Sequence, residues 1–124
     1  QKELAGKGVV WLTVISSAPG KQGHGGPEQI NAKRREWNIA SAATLVDPEG
    51  KVGRLYGAKT TPHLYLIHPE GKFLYMGAID SISSSDAQDI PAAKNYLRVA
   101  FEETQAGKAV TTASTVPYGC SVKY

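Results

Sequence analysis

One cysteine, three histidines and a few carboxylates are the side chains of this 124-residue sequence that could carry covalent or proton-transfer chemistry. Cys120, in the ending "PYGCSVKY", is the single cysteine and so cannot form an internal disulfide. It can be a small buried hydrophobe, a free thiol, or one half of a bridge to another molecule. His24 in "GHGG" and His68 in "IHPEG" read as loop and turn residues. His63, in "TTPHLY", stands at a strand start, either as an acid/base or ligand group or as a half-exposed strand residue. The histidines share no metal-ligand spacing and one cysteine cannot complete a structural zinc site, so no metal and no other cofactor is expected. Asp47 and Asp80 fall at strand ends, where a carboxylate either assists proton transfer or forms a turn. The glycine-rich "GKQGHGG" is not followed by Gly-Lys-Ser/Thr and does not match a phosphate-cradling loop.

Composition narrows the classes. Hydrophobic residues make up 41% and charged residues 20%, ordinary for a soluble globular chain, and the length suits one domain. The formal charge of +3 is scattered except for "KRR" at Lys33 to Arg35. On a helix that run reads as a solvated face, so no nucleic-acid partner is expected. The longest apolar run, Val9 to Ile15, is far short of the roughly 20 residues that span a bilayer, so no membrane span is expected. Residues Gln1 to Lys7 lack the apolar stretch of a signal peptide, which leaves cytoplasm and periplasm both open.

Elements to position these groups follow from periodicity. "QKELAGKG" ends a helix at Gly6 or Gly8. "VVWLTVISS" is a β-branched apolar run of the kind found in a strand covered on both faces. Pro27 opens a helix through "PEQINAKRREWNIA", with Ile30, Trp37 and Ala40 inward and Arg34 snorkelling. Trp11 and Trp37 are expected in the core. "TLVD" is a short strand and "VGRLYGAK" a short helix, followed by a hairpin over 63–77. Asp89 is the expected N-cap of a helix whose stripe is Ala93, Tyr96, Leu97, Ala100 and Phe101, closed by Gly107. Residues 107–124 form a tail with β-formers around "GC". The order implies a mixed sheet flanked by helices.

Pro62 stands at the entrance of that hairpin, where a proline without an N–H is confined to a strand's start, an edge or a bulge. With it, "TLVDPEGKVGRLYGAKTTPHLYLIHPEGKFLYMGAID" and the "YGCSVKY" ending resemble the redoxin group of the thioredoxin superfamily, near the alkyl hydroperoxide reductase/thiol-specific antioxidant and thiol–disulfide oxidoreductase proteins. The resemblance covers nearly the whole chain. It implies an α/β, thioredoxin-like three-layer fold with a mixed β-sheet between helices, as a single domain over 1–124. It also implies a cis Thr61–Pro62 peptide, with Thr61, Pro62 and His63 forming the substrate-binding surface and the Thr61 backbone free to pair with an extended peptide.

The family's redox cysteine, at the start of the first helix, has no counterpart here. The resemblance places it and its central strand before Gln1, so the fold is expected to be N-terminally incomplete and the chain by itself inactive. Cys120 would then be a resolving thiol, attacking a sulfenic acid or disulfide on that cysteine. The expected function is thiol-dependent reduction of peroxides or disulfides, with a thiol reductant or protein disulfide as partner and a homodimer as one assembly. The alternative is a non-catalytic thioredoxin-like domain that binds peptides at the cis-proline surface.

Overall fold

The computed structural model describes all residues, 1–124. Its elements, in chain order, are α1 (Lys2–Ala5), β1 (Leu12–Ile15), α2 (Pro27–Glu36), β2 (Ala43–Val46), α3 (Lys51–Leu55), β3 (Thr60–Thr61), β4 (Leu64–Ile67), β5 (Phe73–Gly77), α4 (Tyr96–Gln105) and β6 (Cys120–Ser121). The protein is of the α/β class.

Where one mixed sheet was expected, the strands form three two-stranded sheets. β1 and β2 are parallel, with Leu12 beside Ala43 and Val14 beside Leu45. β4 and β5 form the antiparallel hairpin, and β3 pairs antiparallel with β6. A sheet extends only where another strand supplies N–H and C=O groups, and no strand of this chain pairs with the second edge of β1 or of β4. Two compact units can be distinguished along the chain, one of Gln1–Ala58 with Val122–Tyr124 and another of Lys59–Ser121.

In the first unit, α2 makes the crossover that two parallel strands require. Pro27 occupies its first turn, and the Gly26 N–H donates to Gln29 Oε1 at 3.1 Å. The helix stops at Glu36, leaving Trp37 at its C-cap and 64% exposed, so the expected core role fails for this tryptophan. Its partner is instead Lys33, whose Nζ lies 5.1 Å from the ring centroid. Leu4 is the only buried hydrophobic residue of this unit.

The second unit holds the denser core, of Leu66, Tyr75, Ala78, Leu97, Ala100 and Phe101. α4 packs on β4 and β5, burying Leu97, Ala100 and Phe101 of the expected stripe, while Ala93 lies before the helix. Its start differs from the expectation: Asn95 is the N-cap, accepting from the Arg98 N–H at 2.8 Å. Asp89 instead ends a short 3-10 turn, Ala87–Asp89. Asn95 is held by a bridge to Asp80, and Ser81 donates its N–H to the Lys94 carbonyl, so the chain cannot become helical before Tyr96.

Beyond Gly107 the tail runs beside β5. The Met76 N–H donates to the Ala113 carbonyl at 3.0 Å, and the Thr115 N–H to the Met76 carbonyl at 3.1 Å. Thr115 Oγ1 also accepts from the Ala78 N–H at 3.0 Å and lies 2.6 Å from the buried Tyr75 hydroxyl. The tail is thus an ordered strap along β5.

Candidate functional site

Three of the four residues singled out from the sequence converge at the β3–β6 ladder. Thr61 stands directly opposite Cys120, and Thr60 opposite Ser121. Directly opposed residues of an antiparallel pair share a face with Cβ atoms about 4.5–5.5 Å apart, so the Thr61 and Cys120 side chains project from one face of the ladder. Both residues are exposed, and the thiol is free. That exposure excludes the reading of Cys120 as a buried small hydrophobe. The Thr61–Pro62 peptide is cis, and Thr60 Oγ1 donates to the Pro62 carbonyl at 2.9 Å.

Gly119 makes the close approach possible. It has φ of +131°, and a Cβ there would collide with the Thr61 carbonyl oxygen and stand 3.4 Å from Pro62 Cδ. The Thr61 backbone was expected to be free for an incoming strand. In the structure, the chain's own β6 holds that position, because the tail returns antiparallel to β3.

His63 follows at the β4 entrance. Its Nδ1 accepts from the Lys59 N–H at 3.3 Å, which places the single proton of the neutral ring on Nε2. The ring stacks on Tyr65 with centroids 4.7 Å apart. Burial, then the positive charge of Lys59, holds its pKa below the ordinary histidine value. The imidazole is therefore suited to serve as a neutral hydrogen-bonding group.

The two carboxylates considered for proton transfer have structural partners. Asp47 is buried and accepts from Ser16 Oγ at 2.7 Å and from the Gly53 N–H at 2.9 Å. Burial pushes its pKa up, but bonds from the Gly53 amide, Ser16 and the Val52 and Lys51 amides outweigh it, and the net shift is downward. Its task is to cap α3. Asp80 accepts from the Ile82 N–H at 3.0 Å and from the Tyr118 hydroxyl at 2.5 Å.

Tyr118, two residues before the thiol, was not singled out from the sequence, although a hydroxylated aromatic beside a lone cysteine was a signal available there. Burial first, and then the Asp80 carboxylate, push its phenol up to about 12.

The remaining histidines are accounted for locally. His24 Nδ1 lies 3.1 Å from the Ser17 carbonyl, and His68 Nδ1 accepts from the Glu70 N–H at 3.2 Å. In the "KRR" run, Lys33 pairs with Glu36 at 2.8 Å and Arg34 donates to the Ser41 carbonyl at 2.7 Å. A pocket of about 220 Å³ lies where β1 and β2 end, against the start of α2, with Ile15, Val46, Pro27 and Pro48 among its mainly apolar walls. No three or more His, Cys, Asp or Glu side chains group as a metal site requires. No helix is long and apolar enough to cross a membrane.

No protein-family model matches the chain, and no curated protein does. Solved structures do. A hypothetical protein from Sinorhizobium meliloti is similar at 25% identity with a TM-score of 0.83, over 99% of this chain and 66% of that one. An uncharacterized conserved protein from Geobacillus kaustophilus is similar at 22% identity with a TM-score of 0.81, over 99% of this chain and 64% of that one. The chain thus shares its fold with both and spans somewhat less than two thirds of the length of each.

Proposed function

We propose that these residues belong to a thiol-dependent oxidoreductase of the redoxin type, built on a thioredoxin-like fold. The observation that carries this reading is the exposed Cys120 thiol held directly opposite Thr61, next to Pro62 and His63. The succession of a parallel βαβ unit, a short helix, a proline-led hairpin and a final helix supports the fold.

A single thiol cannot complete a redox cycle, so the second sulfur comes from outside these 124 residues. Cys120 acts as the resolving thiol. As a thiolate it attacks the sulfur of a sulfenic acid on the second cysteine, forming the S–S bond and displacing hydroxide, which leaves as water on taking a proton from solvent. Where the second cysteine is already in a disulfide, the same attack releases a thiolate. An external thiol reductant then restores both sulfurs. Thr61, Pro62 and His63 line the approach, with His63 as a neutral hydrogen-bonding group.

Peroxide consumption with dithiothreitol tests the assignment. The chain alone should show negligible turnover, equal to that of Cys120→Ser, while Cys120 should form a mixed disulfide with oxidised glutathione. Substantial turnover abolished in Cys120→Ser would make Cys120 the primary nucleophile and overturn its resolving role. Failure to form the mixed disulfide would remove the thiol from the mechanism. The alternative is a non-catalytic peptide-binding domain that uses the same surface of Thr61, Pro62 and His63, beside the β3–β6 ladder.

A further inference from the structure

We propose that the pocket at the carboxyl ends of β1 and β2 is a binding site for a small hydroxylated ring compound, of the phenol class. The pocket lies wholly within the first unit. It involves neither Cys120 nor the residues around Pro62, and so is independent of the thiol reading.

Parallel strands joined by a helix leave a crevice where their loops diverge, outside the carboxyl ends, and α/β units commonly take ligands there. Here β1 ends at Ile15, β2 ends at Val46, and α2 begins at Pro27. The loop from β1 to α2 is the glycine-rich "GKQGHGG", which matches no phosphate cradle. Its turns are closed by the Lys21 N–H on the Ala18 carbonyl at 3.0 Å and the His24 N–H on the Lys21 carbonyl at 3.1 Å. Gly23 has φ of +90°, and a Cβ there would come within 2.8 Å of Ser17 Oγ. Glycine at that point lets the loop fold back until His24 Nδ1 lies 3.1 Å from the Ser17 carbonyl.

This contact fixes the chemistry of the wall. A carbonyl oxygen only accepts, so Nδ1 carries the proton of the neutral imidazole and Nε2 is left as an acceptor. Ser17 lines the same pocket, and its hydroxyl can donate as well as accept. The other side chains of the wall, Ile15, Val46, Pro27 and Pro48, are apolar. One acceptor and one hydroxyl in an otherwise apolar wall suit a ligand with a single hydroxyl, which donates to His24 and accepts from Ser17. No lysine or arginine lines the pocket, which favours a neutral hydroxyl over an anionic group. Size sets the rest. A cavity of about 150 Å³ holds a benzene molecule. The 220 Å³ here therefore admits one six-membered ring with its hydroxyl and a short substituent.

Phenol is the probe, titrated into the full chain and followed by NMR of the backbone amides. Anisole, whose oxygen has no proton to donate, is the paired control. Phenol should shift the amides of Ser17, His24, Gly25, Gly26 and Val46 saturably. It should bind about fivefold more tightly than anisole, the worth of one hydrogen bond. His24→Ala should bring the two compounds to equal affinity. Gly26→Leu should abolish phenol binding. Residue 26 has φ of −72° and a Cβ there meets no atom within 4 Å, so a side chain is added at the pocket wall without straining the fold. Absence of saturable shifts at these amides overturns the proposal, and so does equal affinity for phenol and anisole in the wild type; neither arm needs a variant to fold. A preference for phenol that survives His24→Ala, or phenol binding unchanged in Gly26→Leu, also overturns it.

Discussion

Asp47 shows how a carboxylate that reads as a candidate for chemistry becomes part of the frame. Four donors converge on it, three of them amides of the first turn of α3. Asp47→Ala would leave the buried Gly53 amide unpaired and should cost about 1–3 kcal/mol of stability. Because the folded state holds its pKa below the unfolded value, this contribution is complete above the unfolded pKa of about 4 and is lost as pH falls through the folded one. Urea unfolding should therefore show wild type and Asp47→Ala converging in acid and diverging near neutrality. A gap that stays constant down to about pH 2 would exclude the linkage. Tyr118 has the opposite sign. Its phenol is raised to about 12, so its contribution is present below the unfolded value of about 10 and lost as pH rises through about 12. Tyr118→Phe should lose that alkaline dependence.

Among the elements, the strap beside β5 matters most to the second unit. Gly77 has φ of +142°, and a Cβ there would collide with the Thr115 carbonyl and hydroxyl oxygens. Gly77→Ala combines a disfavoured backbone with displacement of Thr115, and with it the bonds to Tyr75 and Ala78. A loss of about 2 kcal/mol or more is expected, read as a lower thermal midpoint. In contrast, Gly71→Ala also meets a positive φ, but nothing lies near its Cβ, so its cost should be the smaller. Equal losses would mean that the Thr115 contact does not organise the tail.

For the molecule as a whole, apolar surface is unevenly covered. On one face of the β1–β2 pair, Leu12 is 53%, Val14 40% and Leu45 47% exposed, with Val10 before them at 73%. Contiguous apolar surface of this kind binds hydrophobic dyes and promotes association. The double variant Leu12→Thr/Leu45→Thr should lower anilinonaphthalene sulfonate fluorescence with little change in unfolding midpoint, because neither side chain is buried. Undiminished fluorescence would place the dye elsewhere.

Local order was legible in the residues themselves. The β-branched run at Leu12–Ile15, Pro27 at a helix start, the "HPEGK" turn and the Leu97–Ala100–Phe101 stripe each carry their conformation in adjacent side chains. Two local readings failed, one to a distant partner and one to a local helix stop with Asn38 at φ of +49°. Bridging of Asn95 to Asp80 moved the start of α4, and the end of α2 at Glu36 left Trp37 in solvent. The placement of Cys120 opposite Thr61 was decided only by tertiary structure. Positions 61 and 120 are joined by a ladder whose geometry depends on Gly119 and on Tyr118 reaching Asp80. Sequence determines such a contact through the whole fold, since a backbone hydrogen bond carries no side-chain signature at either end.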